Sequence, residues 1–402
     1  MRKLEGIAVR CVPEQTDEVY SLKVLVVTPS YFPIIGGSET LIRTLVTKLN
    51  VSGIHTDIMA FNMNKKWNPV LRKDVEHSEN FTVFKVAAFN PLPFFPVNPL
   101  YNLLRINVIP SLSFKREFRE YDIIHFLGEA DLSMPLLSLS VIKPKIMHCV
   151  GVPGLEEQFK KHLTMKKLFV RLFQRLANLY AVFSPDEKRA LLNLGISSNR
   201  IITLRYGIDT DLFRPDENKR LSNLILFVGR IDTVKGLHVL LESLQYVKPK
   251  TQVIIIGPTA RDEYFDHINE MCREVNERGF HKVEYLGSKD QHDLIPWYQK
   301  ATVLARPDLV GASGEGCSTM EALACGTPVI GVQNHVVKND VNGLIVAPDS
   351  PEKLAEALNR VLEDEKLRER YGIAARRIME QQFSVKSAVT RLIKVYEDML
   401  KQ

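Results

Sequence analysis

Short unbroken apolar runs alternate along this chain with longer stretches in which apolar residues recur every three or four positions. Val24–Val27, Leu224–Val228 and Val253–Ile256 are of the first kind. Such runs, bounded by Gly, Pro or charged residues, read as strands buried on both faces, and the wider spacing reads as helix. In the first half the pattern predicts strands at Lys23–Thr28, His55–Phe61, Phe81–Ala87, Asp122–Leu127, Lys145–Val150, Ala181–Ser184 and Ile201–Leu204. Helices are predicted there from Ser38 to about Leu49 and from Pro185 onward. The second half predicts strands at Leu224–Gly229, Gln252–Gly257, Val283–Leu286, Ala301–Ala305 and Pro328–Gly331. Its helices are Leu237–Val247, Arg261–Arg278 and, at the end of the chain, roughly 365–382 and 384–400.

Strand–helix alternation of this kind gives mainly parallel sheets covered by helices on both faces. Two stretches interrupt it. Pro91–Tyr101 is Pro-rich and aromatic and suits neither helix nor sheet. Arg205–Pro215, followed by the charged Asp216–Arg220, marks a boundary between two domains of similar design, near 205–222. A length of 402 residues agrees with two or three domains.

Composition narrows the class without choosing a chemistry. A hydrophobic content of 45% with 25% charged residues is that of a soluble globular chain. The net charge of +6 is mild, and no dense Lys/Arg block points to nucleic acid as a partner. The five cysteines lack paired spacing and companion histidines. They read as reduced thiols of a cytoplasmic protein and supply no zinc motif. Residues 1–21 are expected to be an N-terminal extension without a signal-peptide core. No apolar run reaches the ~18 residues needed to span a bilayer.

Three stretches between a strand and a helix carry candidate chemistry. The longest, Ala305–Gly331, reads as strand, glycine-rich loop, short helix and strand, with Ser318 or Thr319 as the helix cap and Gly326 as its end. Gly316, Cys317, Ser318 and Thr319 then lie at a helix N-terminus, where free N–H groups and partial positive charge suit phosphate. Glu321, inside the helix, can accept hydrogen bonds from a ribose diol. The second stretch, Phe227–Gly236, puts Arg230 and Lys235 after Gly229 at a strand end. A planar guanidinium and a compact ammonium suit a diphosphate leaving group. A lysine in a first helical turn opposes the helix dipole, which favours such a role. The third is Tyr31–Glu39, where Gly36 and Gly37 allow a tight turn and close backbone approach to a ligand. Neither a P-loop nor a G-x-G-x-x-G fingerprint occurs.

In this order and spacing the three stretches resemble the family 4 glycosyltransferases of GT-B fold, over nearly the whole chain from about Leu22. The resemblance implies an α/β architecture of two Rossmann-like doubly wound domains facing a cleft. Residues 22–205 would be the acceptor domain and 206–382 the nucleotide-sugar donor domain, with 383–402 crossing back onto the first. It also implies that Gly36 and Gly37 close over the donor diphosphate and that His148, at a strand end, lies beside the donor sugar. His125, at another strand end, is a candidate for the acceptor side. The family's two glutamates are eight positions apart. Here Glu315 and Glu321 are six apart, and Ser313 stands eight before Glu321. A two-residue contraction keeps Glu315 as the sugar-hydroxyl ligand. The family's Gly-Gly-x-Pro-Glu after Gly331 is also absent, since the chain goes directly to Val-Gln-Asn-His335.

The expected activity is metal-independent, retaining hexosyl transfer from a UDP- or GDP-sugar to a sugar or lipid-linked acceptor hydroxyl. The nucleotide sugar serves as substrate and no cofactor is needed. Asp209-Thr-Asp211 lies in the linker and is expected to form a turn, not a metal site. Rival readings are a nucleotide-sugar epimerase of the same architecture and an inactive sugar-nucleotide or glycan-binding protein. Lys160, Lys161, Lys166, Lys167, Arg171 and Arg175 lie among apolar residues, and Lys167, Arg171 and Arg175, four positions apart, form a basic stripe beside an apolar one. That pattern fits either an ordinary domain helix or one lying on an anionic membrane surface, which would place the protein peripherally on the inner face of the membrane.

Overall fold

A computed structural model describes residues 22–32, 37–64, 68–89, 109–110, 117–129, 133–139, 141–150, 175–205, 207–216, 220–259, 262–309, 316–332 and 335–401. The first sheet is built from β1 (Lys23–Thr28), β2 (His55–Phe61), β3 (Asp74–His77), β4 (Thr82–Val86), β7 (Ile123–Glu129), β8 (Lys145–Val150), β9 (Leu179–Val182) and β10 (Ile201–Thr203). A small antiparallel pair, β5 (Ala88–Phe89) with β6 (Ile109–Pro110), lies outside it. The eight strands run in the order β10-β9-β8-β7-β1-β2-β4-β3, parallel except for β3 on β4. The second sheet has β11 (Leu224–Val228), β12 (Gln252–Ile256), β13 (Lys282–Tyr285), β14 (Val303–Arg306), β15 (Val329–Gly331) and β16 (Gly343–Ile345). Its order is β13-β12-β11-β14-β15-β16 and every pairing is parallel.

Ten α-helices are described: α1 (Gly37–Val51), α2 (Ser133–Leu139), α3 (Pro185–Asn193), α4 (Leu237–Ser243), α5 (Asp262–Glu277), α6 (Gln291–Lys300), α7 (Cys317–Ala324), α8 (Pro351–Glu363), α9 (Glu365–Gln382) and α10 (Val385–Leu400). They cover both faces of both sheets, which explains the unbroken apolar strands. In the first domain, Ile124 and Phe126 of β7 pack in one cluster with Met134 and Leu137 of α2 and Leu191 of α3. Ile123 and Leu127, on the other face, join Leu45 and Leu49 of α1 and Val389, Leu392 and Tyr396 of α10. The last helix therefore crosses back and completes the first domain's core. In the second domain α4, α5 and α8 cover one face, and α6, α7 and α9 the other.

The two passages of the chain between domains lie side by side. Ile208 N donates to Phe383 O at 2.7 Å and Val385 N to Ile208 O at 2.9 Å. Gly207 is left-handed (φ 69°), and a Cβ there would lie 2.6 Å from Phe383 O, so the close approach depends on glycine. Asp209 Oδ1 accepts from Asp211 N and Leu212 N, an Asx-type turn, while its Oδ2 pairs with Lys48 at 2.8 Å. Asp211 pairs with Lys386 at 2.8 Å. Where the passages meet, Asp209 thus has a turn and an ion-pair role and Asp211 an ion-pair role. No group of three potential metal ligands occurs among the described residues.

Three local expectations change. Ser318 and Thr319 do not cap α7, because the N-cap is Gly316 at φ 60°. The strand expected at Ala181–Ser184 is Leu179–Val182, since Ser184 is taken as the N-cap of α3 in a capping box with Glu187. Strands β3 and β16 were not expected. The first is a fully exposed Asp-Val-Glu-His edge without an apolar signature, and the second, Gly343-Leu-Ile, is only three residues long.

Candidate active site

Two helices from different domains begin against each other. A Cβ at Gly37, the first residue of α1, would lie 2.6 Å from Cys317 Sγ, at the first residue of α7. A side chain there would force the two apart. Gly316 contributes no side-chain acceptor over the first turn of α7, and its carbonyl takes the amides of Thr319 and Met320. Both helix dipoles place positive potential in this seam.

The loop after β11 supplies the cations. Gly229 directly follows β11, and Arg230 is about half exposed, with Nε 3.5 Å from Asp232 Oδ2. Lys235 Nζ lies 2.9 Å from Asp308 Oδ1. The same carboxylate receives Arg306 Nη2 at 3.0 and 3.3 Å, and Arg306 Nη1 donates to Ser318 Oγ in the first turn of α7. Sequence reasoning assigned nothing to Arg306 or Asp308. The available signal was a charged pair flanking Pro307 directly after a buried strand. The structure thus connects Lys235, at the end of the β11 loop, with Ser318, at the start of α7.

Glu321 lies beneath that seam and is buried. Its Oε1 accepts from Gln291 Nε2 at 3.0 Å and its Oε2 from Tyr298 Oη at 2.7 Å. Burial raises its pKa above the ordinary glutamate range, and the two donors and Arg306 oppose that shift. Both oxygens keep unused lone pairs, so the carboxylate is fixed in orientation and retains acceptor capacity. Gln291 and Tyr298, both from α6, are a supporting pair that no motif disclosed.

His148 and His125 lie in the first domain on the face that α1 and α10 cover. His125, expected on the acceptor side, is fully enclosed, with Nδ1 2.7 Å from Tyr396 Oη on α10. The His148 ring runs parallel to it at 6.3 Å and lies 4.0 Å from the Phe183 ring, centroid to centroid. Burial lowers the His125 pKa to about 3 and that of His148 well below the usual value. Both rings are therefore neutral near pH 7. Glu315, Gly36, the Pro91–Tyr101 stretch and the basic stripe other than Arg175 lie outside the described residues.

Residues 209–378 match the family model for group 1 glycosyl transferases. Along nearly its whole length the chain is 22% identical to the O-antigen chain mannosyltransferase C of Escherichia coli, over 94% of this chain and 99% of the relative. It is 28% identical to a D-inositol 3-phosphate glycosyltransferase of Xylanimonas cellulosilytica over 54% and 56% of the two chains. Among solved structures, sucrose-phosphate synthase from Thermosynechococcus elongatus superposes with TM-score 0.73 at 22% identity, covering 94% of this chain and 99% of that one. The Anabaena protein HepE, crystallised with UDP and glucose, gives 0.70 at 17% identity, covering 94% and 100%. The superpositions show a GT-B fold. The match to the group 1 glycosyl transferase model lies within the second domain.

Proposed function

We propose that this chain transfers a hexose from a nucleoside-diphosphate sugar to an acceptor hydroxyl with retention of configuration and without a metal ion. The observation that carries this reading is the seam where Gly37 and Cys317 meet, joined through Ser318, Arg306 and Asp308 to Lys235. Two helix N-termini and a lysine around one position suit a diphosphate. Arg230 and Lys235 take up the negative charge that grows on the β-phosphate as the glycosidic bond breaks. Glu321 receives the ribose hydroxyls and Glu315 the sugar hydroxyls. The acceptor hydroxyl attacks from the face the diphosphate leaves, with the β-phosphate as its base, so no side-chain nucleophile is needed. His148 borders the sugar as a neutral imidazole. The relatives and neighbours that act on or bind sugars and UDP support the substrate class.

The test is a thermal-shift screen with UDP, GDP and ADP, each with and without excess EDTA. One nucleotide at ~100 times its dissociation constant should stabilise the protein by about 2.7 kcal/mol. The shift and the turnover should be the same in EDTA. No shift with any nucleotide would remove the donor assignment, and rescue of EDTA-treated enzyme by Mn²⁺ or Mg²⁺ would remove metal independence. An epimerised nucleotide sugar formed without acceptor would replace transfer by epimerisation.

The acceptor is proposed to be a lipid-linked or polysaccharide precursor, reached at an anionic membrane surface. Residues 103–175 hold twelve Lys/Arg against seven Asp/Glu, +5 of the chain's +6. No described helix is long and apolar enough to cross a membrane, so the attachment is peripheral. Each basic side chain near such a surface contributes about 1 kcal/mol, weakened by salt. The protein should sediment with anionic liposomes at low salt and much less at ~0.5 M, where the Debye length is below ~5 Å. Lys167→Glu, Arg171→Glu and Arg175→Glu together should abolish sedimentation and spare nucleotide binding. Failure to sediment at low salt would make a soluble acceptor the better reading.

A further inference from the structure

Three independent contacts join the loop that carries Lys235 to the segment after β14. Lys235 Nζ pairs with Asp308 Oδ1 at 2.9 Å. Leu309 N donates to Val234 O at 2.9 Å. Gly236, at φ 64°, packs so tightly that a Cβ would fall 1.9 Å from Pro307 O. From that segment Arg306 reaches onward to Ser318 in the first turn of α7 and borders Gly316, where a Cβ would lie 3.5 Å from Nη1. Arg306 and Asp308 are both buried, and Lys235 is about a quarter exposed.

The charges decide what such a bridge does. One buried carboxylate serves two cations, so the group carries one surplus positive charge. Arg306 is enclosed and uses its terminal nitrogens on Asp308 and Ser318, which leaves Lys235 as the member facing solvent. Arg306 Nε is buried with no acceptor among the described residues. Its two terminal nitrogens are the engaged ones, one on Asp308 and one on Ser318, so the side chain spans the two segments.

We propose that Asp308 and Arg306 are positioning residues that couple the Lys235 loop to the N-terminus of α7, so that the two sides of the diphosphate cradle are set as one unit. Neither touches the substrate. Asp308 aims the lysine, Arg306 aims the first turn of α7, and the shared carboxylate ties the two placements together. The inference rests on the donor reading above.

The test is a double-mutant cycle on nucleoside-diphosphate affinity and donor KM, using Asp308→Asn, Lys235→Met and the pair. Asp308→Asn should raise donor KM about tenfold and leave acceptor KM unchanged. In the Lys235→Met background the same change should cost less than threefold, because the residue that Asp308 aims is already gone. Asp308→Glu should recover part of the loss. Arg306→Met and Ser318→Ala, tested against Lys235→Met, should also be non-additive. If Arg306→Met does not fold, the isosteric Asp308→Asn and the small Ser318→Ala still decide the question. Equal costs of Asp308→Asn in both backgrounds, with only the melting temperature lowered, would overturn the coupling and leave the donor reading intact. Wild-type nucleotide affinity together with wild-type turnover in Lys235→Met would overturn both.

Discussion

Lys235→Ala and Arg230→Ala should each lower turnover by roughly 10²–10³ in a protein that remains folded. Donors fixed at the site of developing charge, in a cleft that excludes water, are worth about 3 kcal/mol each to a transition state. The fold should survive because neither side chain belongs to an apolar cluster. Arg230 is half exposed with only Asp232 as a described ion-pair partner, and without Lys235 the Asp308 carboxylate keeps two hydrogen bonds from Arg306. The comparison that matters is turnover against nucleotide affinity. A loss concentrated in turnover shows charge stabilisation made in the transition state. A loss concentrated in affinity would make the loop a ground-state clamp. Near-normal turnover in both variants would remove the diphosphate assignment, and the basic loop would become a solvated strand end.

The sheets were legible because a strand covered by helices on both faces leaves a continuous apolar run, as Leu224–Val228 does. Edges without that cover, such as the exposed β3, leave none. Within the site, Gly37, Arg230, Lys235 and Glu321 could be picked out because each follows a strand whose end the sequence locates. Arg306, Asp308, Tyr298 and Gln291 could not. Their significance lies in contacts between segments far apart in the chain, and nothing in the local pattern of α6 says that it will face Glu321. His125 illustrates the same limit. Alternation along β7 places it on one face of the sheet, but the hydroxyl that meets it belongs to Tyr396, in a helix that arrives from the other end of the chain. The capping error at α7 has a separate cause. Ser318 and Thr319 are good caps by residue type, yet Gly316 enters the helix from a left-handed conformation that residue type does not announce.

Gly257→Ala should be more damaging than any surface substitution, and for a reason confined to the backbone. Gly257 follows β12 at φ 155°, and a methyl group on it would lie 1.8 Å from Gly229 O, 2.7 Å from Gly229 C and 3.5 Å from Arg230 N. These are main-chain atoms of the turn that carries Arg230, so no side-chain rotation can make room. The turn must move, or Gly257 must leave its hydrogen bond to Gly287 O, now 3.0 Å. Backbone strain and overpacking together should cost roughly 2–5 kcal/mol. Displacing Arg230 by about 1 Å should cost a further factor of ~10² in turnover. Gly53→Ala is the matched control. Gly53 also has a positive φ, 83°, but a Cβ there meets nothing within 4 Å, so the change should cost about 1 kcal/mol of stability and leave turnover as it was. Melting temperature and turnover measured on both variants separate the two effects. Gly257→Ala with lowered stability and unchanged turnover would show that the Gly229–Arg230 turn does not position the leaving group. Loss of turnover in both variants would mean that positive-φ strain anywhere in the molecule disables the enzyme, and the specific contact with Gly229 would explain nothing.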